Sequence, residues 1–513
     1  MNKRKCKVIM VQGTGSYVGK SLIVSALCRI FKQDGFRVAP FKAQNMALNS
    51  FVTREGGEMG RAQVAQAEAA GIEPNVDMNP ILLKPSGDVK AQVIVKGKPI
   101  GNMSGREYYR RRPQLLRVIR ESFGRLRDTY DIIVIEGAGS PAEVNLRKND
   151  VVNMQMAKIA NCPVILAGDI NVGGVFAWLV GTLELLTAAE RKRIKGVIIN
   201  KFRGDIRILQ PGLEFLEKKT RKPVLGVIPY FHDIRIPEED SIDRERYCLF
   251  DERPRKGRIN IEVLYLPHIS NFTDFDPLEK EPDVHLRYIV QGAKIGEPDC
   301  IIIPGSKNTI GDLSYLKDSG LAEAIIDRSR RGAVVVGICG GYQMLGRQIR
   351  DPYSLESRRK AISGLGLLPL VTTILRKKMT HQIQAEDLLF GTGKVSGYEI
   401  HMGRTNLCAP LRPAFRICTR SKQAVRIEDG VALKDNGVWG TYIHGLFEND
   451  RLRRAFLDSL RKKTGSGKKY PGIRENINTF LEEKEKEYNK LAAVVRKNLD
   501  MRKIYSLLEK EFK

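Results

Sequence analysis

Short apolar runs rich in Val and Ile alternate with stretches of helical periodicity along the whole chain. In the first half the runs fall at 7–11, 37–40, 131–135, 163–167, 196–199 and 224–228. This alternation predicts parallel sheets covered by helices. Several runs end in a polar or glycine-rich turn, where open α/β sheets place their ligands. The texture changes over 232–258, which is charged and proline-bearing with little apolar periodicity. A second α/β series follows, with runs at 259–264, 300–304, 333–337 and 438–443. Near the end, Leu, Ala, Val and Ile recur at helical spacing over 482–508, which predicts a helix packed on the body. The expected organisation is a doubly wound parallel sheet over 1–235, a linker over 236–258, a second α/β domain over 259–460 and a basic helical tail over 461–513.

The first run leads into Gln12-Gly-Thr-Gly-Ser-Tyr-Val-Gly-Lys-Ser21, and a helix is predicted after it. Glycines there let backbone N–H groups point at a phosphate, and the helix N-terminus adds a favourable dipole. Lys20 is expected to reach the β- and γ-phosphates and the Ser21 hydroxyl to bind Mg²⁺. The usual G-x-x-x-x-G-K-[ST] spacing would put glycine at 14. Thr14 stands there with Gly13 before it, so this is a variant loop, one residue longer from its first glycine. Gly13, Thr14, Gly15, Gly19, Lys20 and Ser21 are the candidate ATP or GTP contacts. A second acid is needed to hold Mg²⁺. Glu136, closing Tyr130-Asp-Ile-Ile-Val-Ile-Glu136, supplies it in the manner of a Walker B acid. Asp169 is a weaker candidate. Asn200 is placed either to read an adenine edge or simply to form a turn.

The sharpest pattern in the second half is Gly337-Ile-Cys339-Gly-Gly341-Tyr-Gln343, a G-x-C-x-G-x-Q elbow between a predicted strand and a helix. Glycines at 337 and 341 let two backbones come close, and Cys339 sits at the tip. The helix N-terminus favours the thiolate, and the Gly340 N–H is a candidate oxyanion donor. A nucleophilic thiol needs a base. His444, at the end of a predicted strand, is the expected one, and His401 is its rival.

Composition narrows the picture. The chain is 42% hydrophobic and 28% charged, which is globular. Its formal net charge of +27 predicts anionic partners such as nucleotides or polycarboxylates, and equally nucleic acid or anionic lipid. The tail from 461 carries 15 basic and 8 acidic residues but lacks the aromatic interleaving of a nucleic-acid arm. Eight cysteines are too few for a disulfide scaffold, and no apolar run approaches a signal core or a membrane span. A cytoplasmic protein with reduced thiols is expected, with neither nucleic acid nor membrane as partner. Oligomeric state is left open.

The second half resembles a class I glutamine amidotransferase domain, which has a flavodoxin-like sheet. The resemblance implies that Cys339 is the nucleophile, His444 the base, and Gly305 (in Pro304-Gly305), Gly340 and Gln343 the oxyanion and glutamine contacts. Many members carry a glutamate two residues after the histidine. Leu446 stands there, as in the cobalamin-pathway branch, which also lacks that glutamate, so the third triad member is undefined. The first half is similar to dethiobiotin-synthetase-like P-loop domains. Taken whole, the chain resembles the cobyric acid synthase family. The stretches that carry this are Pro40-Phe-Lys-Ala-Gln-Asn-Met-Ala-Leu-Asn-Ser50, Gly57-Glu-Met-Gly-Arg-Ala-Gln63, Glu136-Gly-Ala-Gly-Ser-Pro-Ala-Glu-Val-Asn-Leu146, Gly173-Gly-Val-Phe-Ala177, Pro304-Gly-Ser-Lys-Asn-Thr309 and Gly397-Tyr-Glu-Ile-His-Met-Gly403. Tyr17 stands where an acid is common in the loop, and Val172 where Arg usually precedes Gly-Gly.

The resemblance implies an ATP- and Mg²⁺-dependent amidation of four carboxylates of adenosylcobyrinic acid a,c-diamide with ammonia from L-glutamine. Asn45, Asn49, Ser50, Glu58, Arg61 and Gln63 are expected in the corrin cleft. Two other readings stand beside it: cobyrinic acid a,c-diamide synthase, against which the Gln-Asn-Met segment argues, and a non-catalytic MinD-like P-loop switch, which leaves the Cys339 elbow unexplained.

Overall fold

The computed structural model describes residues 6–86, 90–231, 234, 236, 254–255, 257–357, 359–463 and 479–509. Most of the expected linker, 236–258, lies outside the described residues, as does the tail over 464–478.

All six apolar runs of the first half form one sheet. Its order is Val224–Pro229, Ile194–Phe202, Val164–Asp169, Lys7–Gly13, Ile132–Glu136 and Val38–Phe41, with every neighbouring pair parallel. Such strands must be covered on both faces, which explains why they read as unbroken apolar runs rather than alternating ones. Ile132, Ile133, Val134 and Ile135 are all fully buried. Lys7–Gly13 lies in the middle of the sheet, so the phosphate loop leaves its carboxyl edge with Glu136 on one side and Asp169 on the other.

The tail completes this domain. Thr479 caps Phe480–Asn498 through a reciprocal capping box with Glu482. Tyr488, Leu491, Ala492 and Val495 then pack into the same apolar cluster as Val24, Leu27 and Phe31 of the phosphate-loop helix Lys20–Gln33. A second tail helix, Met501–Glu509, adds Ile504 and Leu508 to that cluster. Residues 480–509 therefore form a helical layer on the first domain; the single helix expected over 482–508 is two, separated at Leu499 and Asp500.

The runs of the second half lie in a twelve-stranded mixed sheet. Val284–Ile289, Ile259–Leu264, Cys300–Ile303, Val334–Ile338 and Val438–Thr441 run parallel through its core. An antiparallel extension was not foreseen from the sequence. It includes the long strands Leu370–Asp387 and Gly393–Leu407, paired over most of their length. A separate four-stranded sheet (Gln44–Met46, Ile81–Pro85, Lys90–Val95, Lys98–Ser104) belongs to the first half. It carries the start of the Gln-Asn-Met segment.

The two halves meet over a buried polar seam. Asn271 Nδ2 donates to the Ser50 carbonyl (3.0 Å) and to the Tyr398 hydroxyl (2.8 Å). Arg61 pairs with Glu448 at 3.2 Å, and Lys378 with Glu58 at 2.6 Å. No helix among the described residues is long and apolar enough to cross a membrane.

Candidate active sites

The first site forms where the central strand ends. Thr14 N–H donates to the Ala167 carbonyl at 3.0 Å, which fixes the start of the loop after Gly13. Lys20 curls back, its ammonium donating to the carbonyls of Gly15 (2.7 Å) and Gly139 (3.2 Å). Burial draws the Lys20 ammonium down to about 8, against the pull of Glu136 and with the help of Lys42. A phosphate would restore the compensating charge.

Gly19 caps the following helix at φ 89°, in the left-handed region, and a Cβ there would lie 2.1 Å from Asn200 Nδ2. Asn200 donates to the Val18 carbonyl at 2.8 Å, so it props the loop from the neighbouring strand. Its Oδ1 is buried and unpartnered among the described residues. Asp169 pairs with Lys201 at 2.9 Å, which ties it to the loop's surroundings. Tyr17 and Val172 are largely exposed.

Ser21 Oγ donates to Glu136 Oε1 at 2.9 Å. Glu136 is fully buried and accepts from two groups that the sequence reading had not singled out: Lys42 Nζ at 3.0 Å and Gln66 Nε2. Lys42 lies in a stretch quoted for the family resemblance and Gln66 three residues past another, but only the fold brings them to the carboxylate. Gln12 Oε1, Thr14 Oγ1 and Gln66 Oε1 are also buried without partners among the described residues. The adjacent Ser21 hydroxyl and Glu136 carboxylate are hard oxygens of the kind that suits Mg²⁺, which takes one or two protein oxygens and completes its shell with water and phosphate.

The second site is built on the cysteine elbow. The strand Val334–Ile338 runs into the helix Gly340–Met344, and Cys339 at the junction has φ 52° and ψ −105°. A side-chain-bearing residue held there is strained, which is how a nucleophile is thrust clear of the sheet edge. A Cβ on Gly341 would lie 1.9 Å from the Ile303 carbonyl oxygen, so the neighbouring strand can come this close only to glycine.

His444 ends the short strand Ile443–His444 and interacts with Cys339, whose thiol donates to the Ile400 carbonyl at 3.6 Å. Its Nδ1 meets Asp274 Oδ2 at 2.6 Å, and the Gly445 N–H donates to Asp274 Oδ1 at 3.0 Å. Burial alone would lower the His444 pKa, but Asp274 and Cys339 together raise it to about 10. The undefined third position is thus filled by Asp274, on the turn Phe272–Phe275, while Leu446 is buried as apolar core. Nothing local in the sequence marks Asp274. Tyr398 stacks on the imidazole, with ring centroids 5.4 Å apart.

His401, the rival base, is held otherwise. It stacks on Tyr442 at 3.9 Å, and its Nδ1 lies 2.9 Å from the Gly403 carbonyl. Gly305 stands beside the base, since a Cβ there would lie 3.0 Å from His444 Cε1. A Cβ on Gly340 would lie 2.8 Å from the Ser306 nitrogen, so these two backbones face each other at the elbow. Gln343 lines a cavity beside Cys339 and Gly340, with Nε2 3.3 Å from the Tyr442 hydroxyl and Oε1 buried and unpartnered among the described residues.

The six residues expected in the corrin cleft are all buried, and four face the second domain or its contacts. Glu58 is fully buried between Lys84 (3.0 Å) and Lys378 (2.6 Å), and Ser50 donates to it at 3.1 Å. Asn49 accepts from Thr273 at 3.4 Å, and Arg61 pairs with Glu448. Asn45 donates to Gln63 at 3.0 Å within the first domain. Ser50 and Glu58 thus lie in the buried contact between the two halves. Asn49 Nδ2, Arg61 Nε and Gln63 Nε2 keep unpartnered donors among the described residues.

Comparison with known proteins identifies both domains. Residues 9–242 match the family model described as the CobQ/CobB/MinD/ParA nucleotide binding domain. Residues 260–452 match the CobB/CobQ-like glutamine amidotransferase domain. The chain is 52% identical over 510 residues to a cobyric acid synthase of Thermoanaerobacter sp. strain X514, covering 98% of this chain and 99% of that one. It is likewise 52% identical over 514 residues to a cobyric acid synthase of Caldanaerobacter subterraneus subsp. tengcongensis, covering 98% of each. A cobyric acid synthase of Dehalococcoides mccartyi strain CBDB1 is 51% identical over 511 residues, covering 98% of this chain and 99% of that one. With a phosphate loop and a Cys–His–Asp elbow in one chain and half its residues shared along its length, the protein belongs to the cobyric acid synthase family.

Proposed function

We propose that this chain is a glutamine-hydrolysing carbon–nitrogen ligase that amidates the b, d, e and g carboxylates of adenosylcobyrinic acid a,c-diamide, with ATP as phosphoryl donor. The observation that carries the reading is the pairing of two complementary sites in one chain, in a family whose relatives are named for this product. The reading places the protein in the cytoplasm, where ATP is available and thiols stay reduced.

At the elbow, Cys339 Sγ attacks the glutamine amide carbon, and the oxyanion is met by backbone N–H groups of the Gly340 region. The His444 imidazolium, oriented by Asp274, gives its proton to the departing nitrogen and ammonia leaves. Water then hydrolyses the γ-glutamyl thioester, releasing glutamate and restoring the thiol. At the phosphate loop, a corrin carboxylate takes the γ-phosphoryl group of ATP, forming an acyl phosphate and ADP. Lys20 neutralises charge on the phosphates, and Ser21 and Glu136 would hold Mg²⁺, which when bound adds further charge stabilisation there. Ammonia displaces phosphate from the acyl phosphate, and the amide forms.

One incubation tests this: protein, ATP, Mg²⁺, glutamine and adenosylcobyrinic acid a,c-diamide, read by mass spectrometry. The expected result is a stepwise series of products, each with one hydroxyl replaced by amino. An unchanged corrin with glutamine still hydrolysed would move the substrate elsewhere. Cys339→Ala is expected to lose glutamine-driven amidation and keep ammonia-driven amidation. Full glutamine-driven activity in that variant would remove Cys339 from its role.

A further inference from the structure

The cavity beside Cys339 holds charged side chains that the steps above do not use. It is lined by Gln343 and His401, by Lys307 and Glu356 from the same domain, and by Lys378 and Lys84. Lys84 comes from the strand Ile81–Pro85 of the first domain. Two of the three lysines are already engaged, since Glu58 accepts from Lys84 at 3.0 Å and from Lys378 at 2.6 Å. Lys307 alone makes no side-chain hydrogen bond or ion pair among the described residues.

Glu356 is placed deliberately. The buried Asp351 carboxylate accepts the N–H groups of Leu355, Glu356 and Ser357 at 2.9, 2.9 and 3.2 Å, which pins the loop. Glu356 Oε2 in turn accepts the Thr309 N–H at 2.8 Å, at the end of the Pro304–Thr309 stretch. Lys307 sits two residues earlier in that stretch. A cation and an anion thus line the same cavity as the thiol. Neither is fully compensated: burial draws the Lys307 ammonium down despite Glu356, and burial raises the Glu356 carboxyl to about 7 despite Lys307.

Glutamine presents the complementary pair. Its amide must reach Cys339, and its other end carries an α-ammonium and an α-carboxylate. We infer that Glu356 binds the α-ammonium and Lys307 the α-carboxylate, making them the specificity-determining residues for free glutamine. This rests on the glutaminase reading above. Neither residue touches the reacting amide, so their effect belongs to binding and alignment.

The test compares L-glutamine with two truncated amides: 4-carbamoylbutanoate, which lacks the α-ammonium, and 4-aminobutanamide, which lacks the α-carboxylate. Each is measured by kcat/KM for ammonia release, or by Ki where turnover is slow. The unaltered protein is expected to prefer glutamine over each by about 10- to 100-fold, the range of a charge-assisted hydrogen bond. Glu356→Gln is expected to lose most of its preference over 4-carbamoylbutanoate while keeping its preference over 4-aminobutanamide. Lys307→Met is expected to show the opposite pattern, and Glu356→Asp to keep part of the preference. Because each comparison is made within one variant, partial misfolding cancels. If either variant weakens all three ligands by the same factor, its role is structural and the assignment is overturned. Failure of the glutaminase reading shows itself separately, as Cys339→Ala hydrolysing glutamine at the rate of the unaltered protein.

Discussion

Asp274 Oδ2 lies 2.6 Å from His444 Nδ1, across 170 residues of sequence. The aspartate comes from a turn at the start of the second domain, not from the histidine's own loop. It accepts the Gly445 N–H with its other oxygen, so it orients both the ring and the backbone that carries it. Asp274→Asn is expected to cut glutamine-driven turnover by about 10²- to 10⁴-fold, as loss of an orienting aspartate does elsewhere. Ammonia-driven amidation, run at the other site, checks that the protein is still folded.

The same pair sets a pH dependence. The His444 pKa is raised from 6.5 to about 10, so the imidazolium needed to protonate the departing amide nitrogen persists through the neutral and mildly alkaline range. Glutaminase kcat/KM is expected to hold between about pH 7 and 9, and in Asp274→Asn to decline from nearer the ordinary histidine pKa. Because the folded value lies above the unfolded one, the pair's contribution to stability is complete below pH 6.5 and fades as pH rises toward 10. A pH–rate profile that does not differ between the two proteins would refute this.

At the phosphate loop, Lys20→Met is expected to lower ATP-dependent amidation by at least about 10²- to 10³-fold, the cost of removing one preorganised donor to developing charge. Free ammonia cannot rescue this variant, because the loss lies in carboxylate activation. Rescue by ammonium chloride would place Lys20 outside the phosphoryl step.

Glu58 is buried between two lysines from different domains. Burial raises its carboxyl but the lysines outweigh it and hold it down at about 2, so its stabilising contribution is present above pH 4.5 and is lost as pH falls toward 2. Glu58→Gln leaves two buried cations facing each other. It is expected to cost about 3–5 kcal/mol in denaturant unfolding, as breaking one side of a buried pair does.

Leu491 in the tail helix is fully buried against the phosphate-loop helix. Leu491→Ala is expected to cost about 2–5 kcal/mol through the cavity it leaves. A change below about 0.5 kcal/mol, measured by chemical denaturation, would show that the tail is a detachable appendage.

What the sequence determined by itself is what short stretches of chain can encode. Parallel strands buried on both faces must be apolar throughout, so all six strands of the first sheet are legible as runs. The phosphate loop and the cysteine elbow are legible because each is a single turn whose glycines, lysine and cysteine are fixed by local backbone geometry. The tail's helical face is legible from its period. The long strands Leu370–Asp387 and Gly393–Leu407 are not, because they carry charged residues on exposed faces and contain no continuous apolar run. What only the tertiary structure decided is which distant groups share a charge. Asp274 meets His444, Lys42 and Gln66 meet Glu136, and Glu58 is buried between Lys84 and Lys378. An isolated carboxylate or ammonium in a sequence has no preferred partner. Its partner is chosen when burial removes water and leaves the nearest opposite charge as the only compensation available.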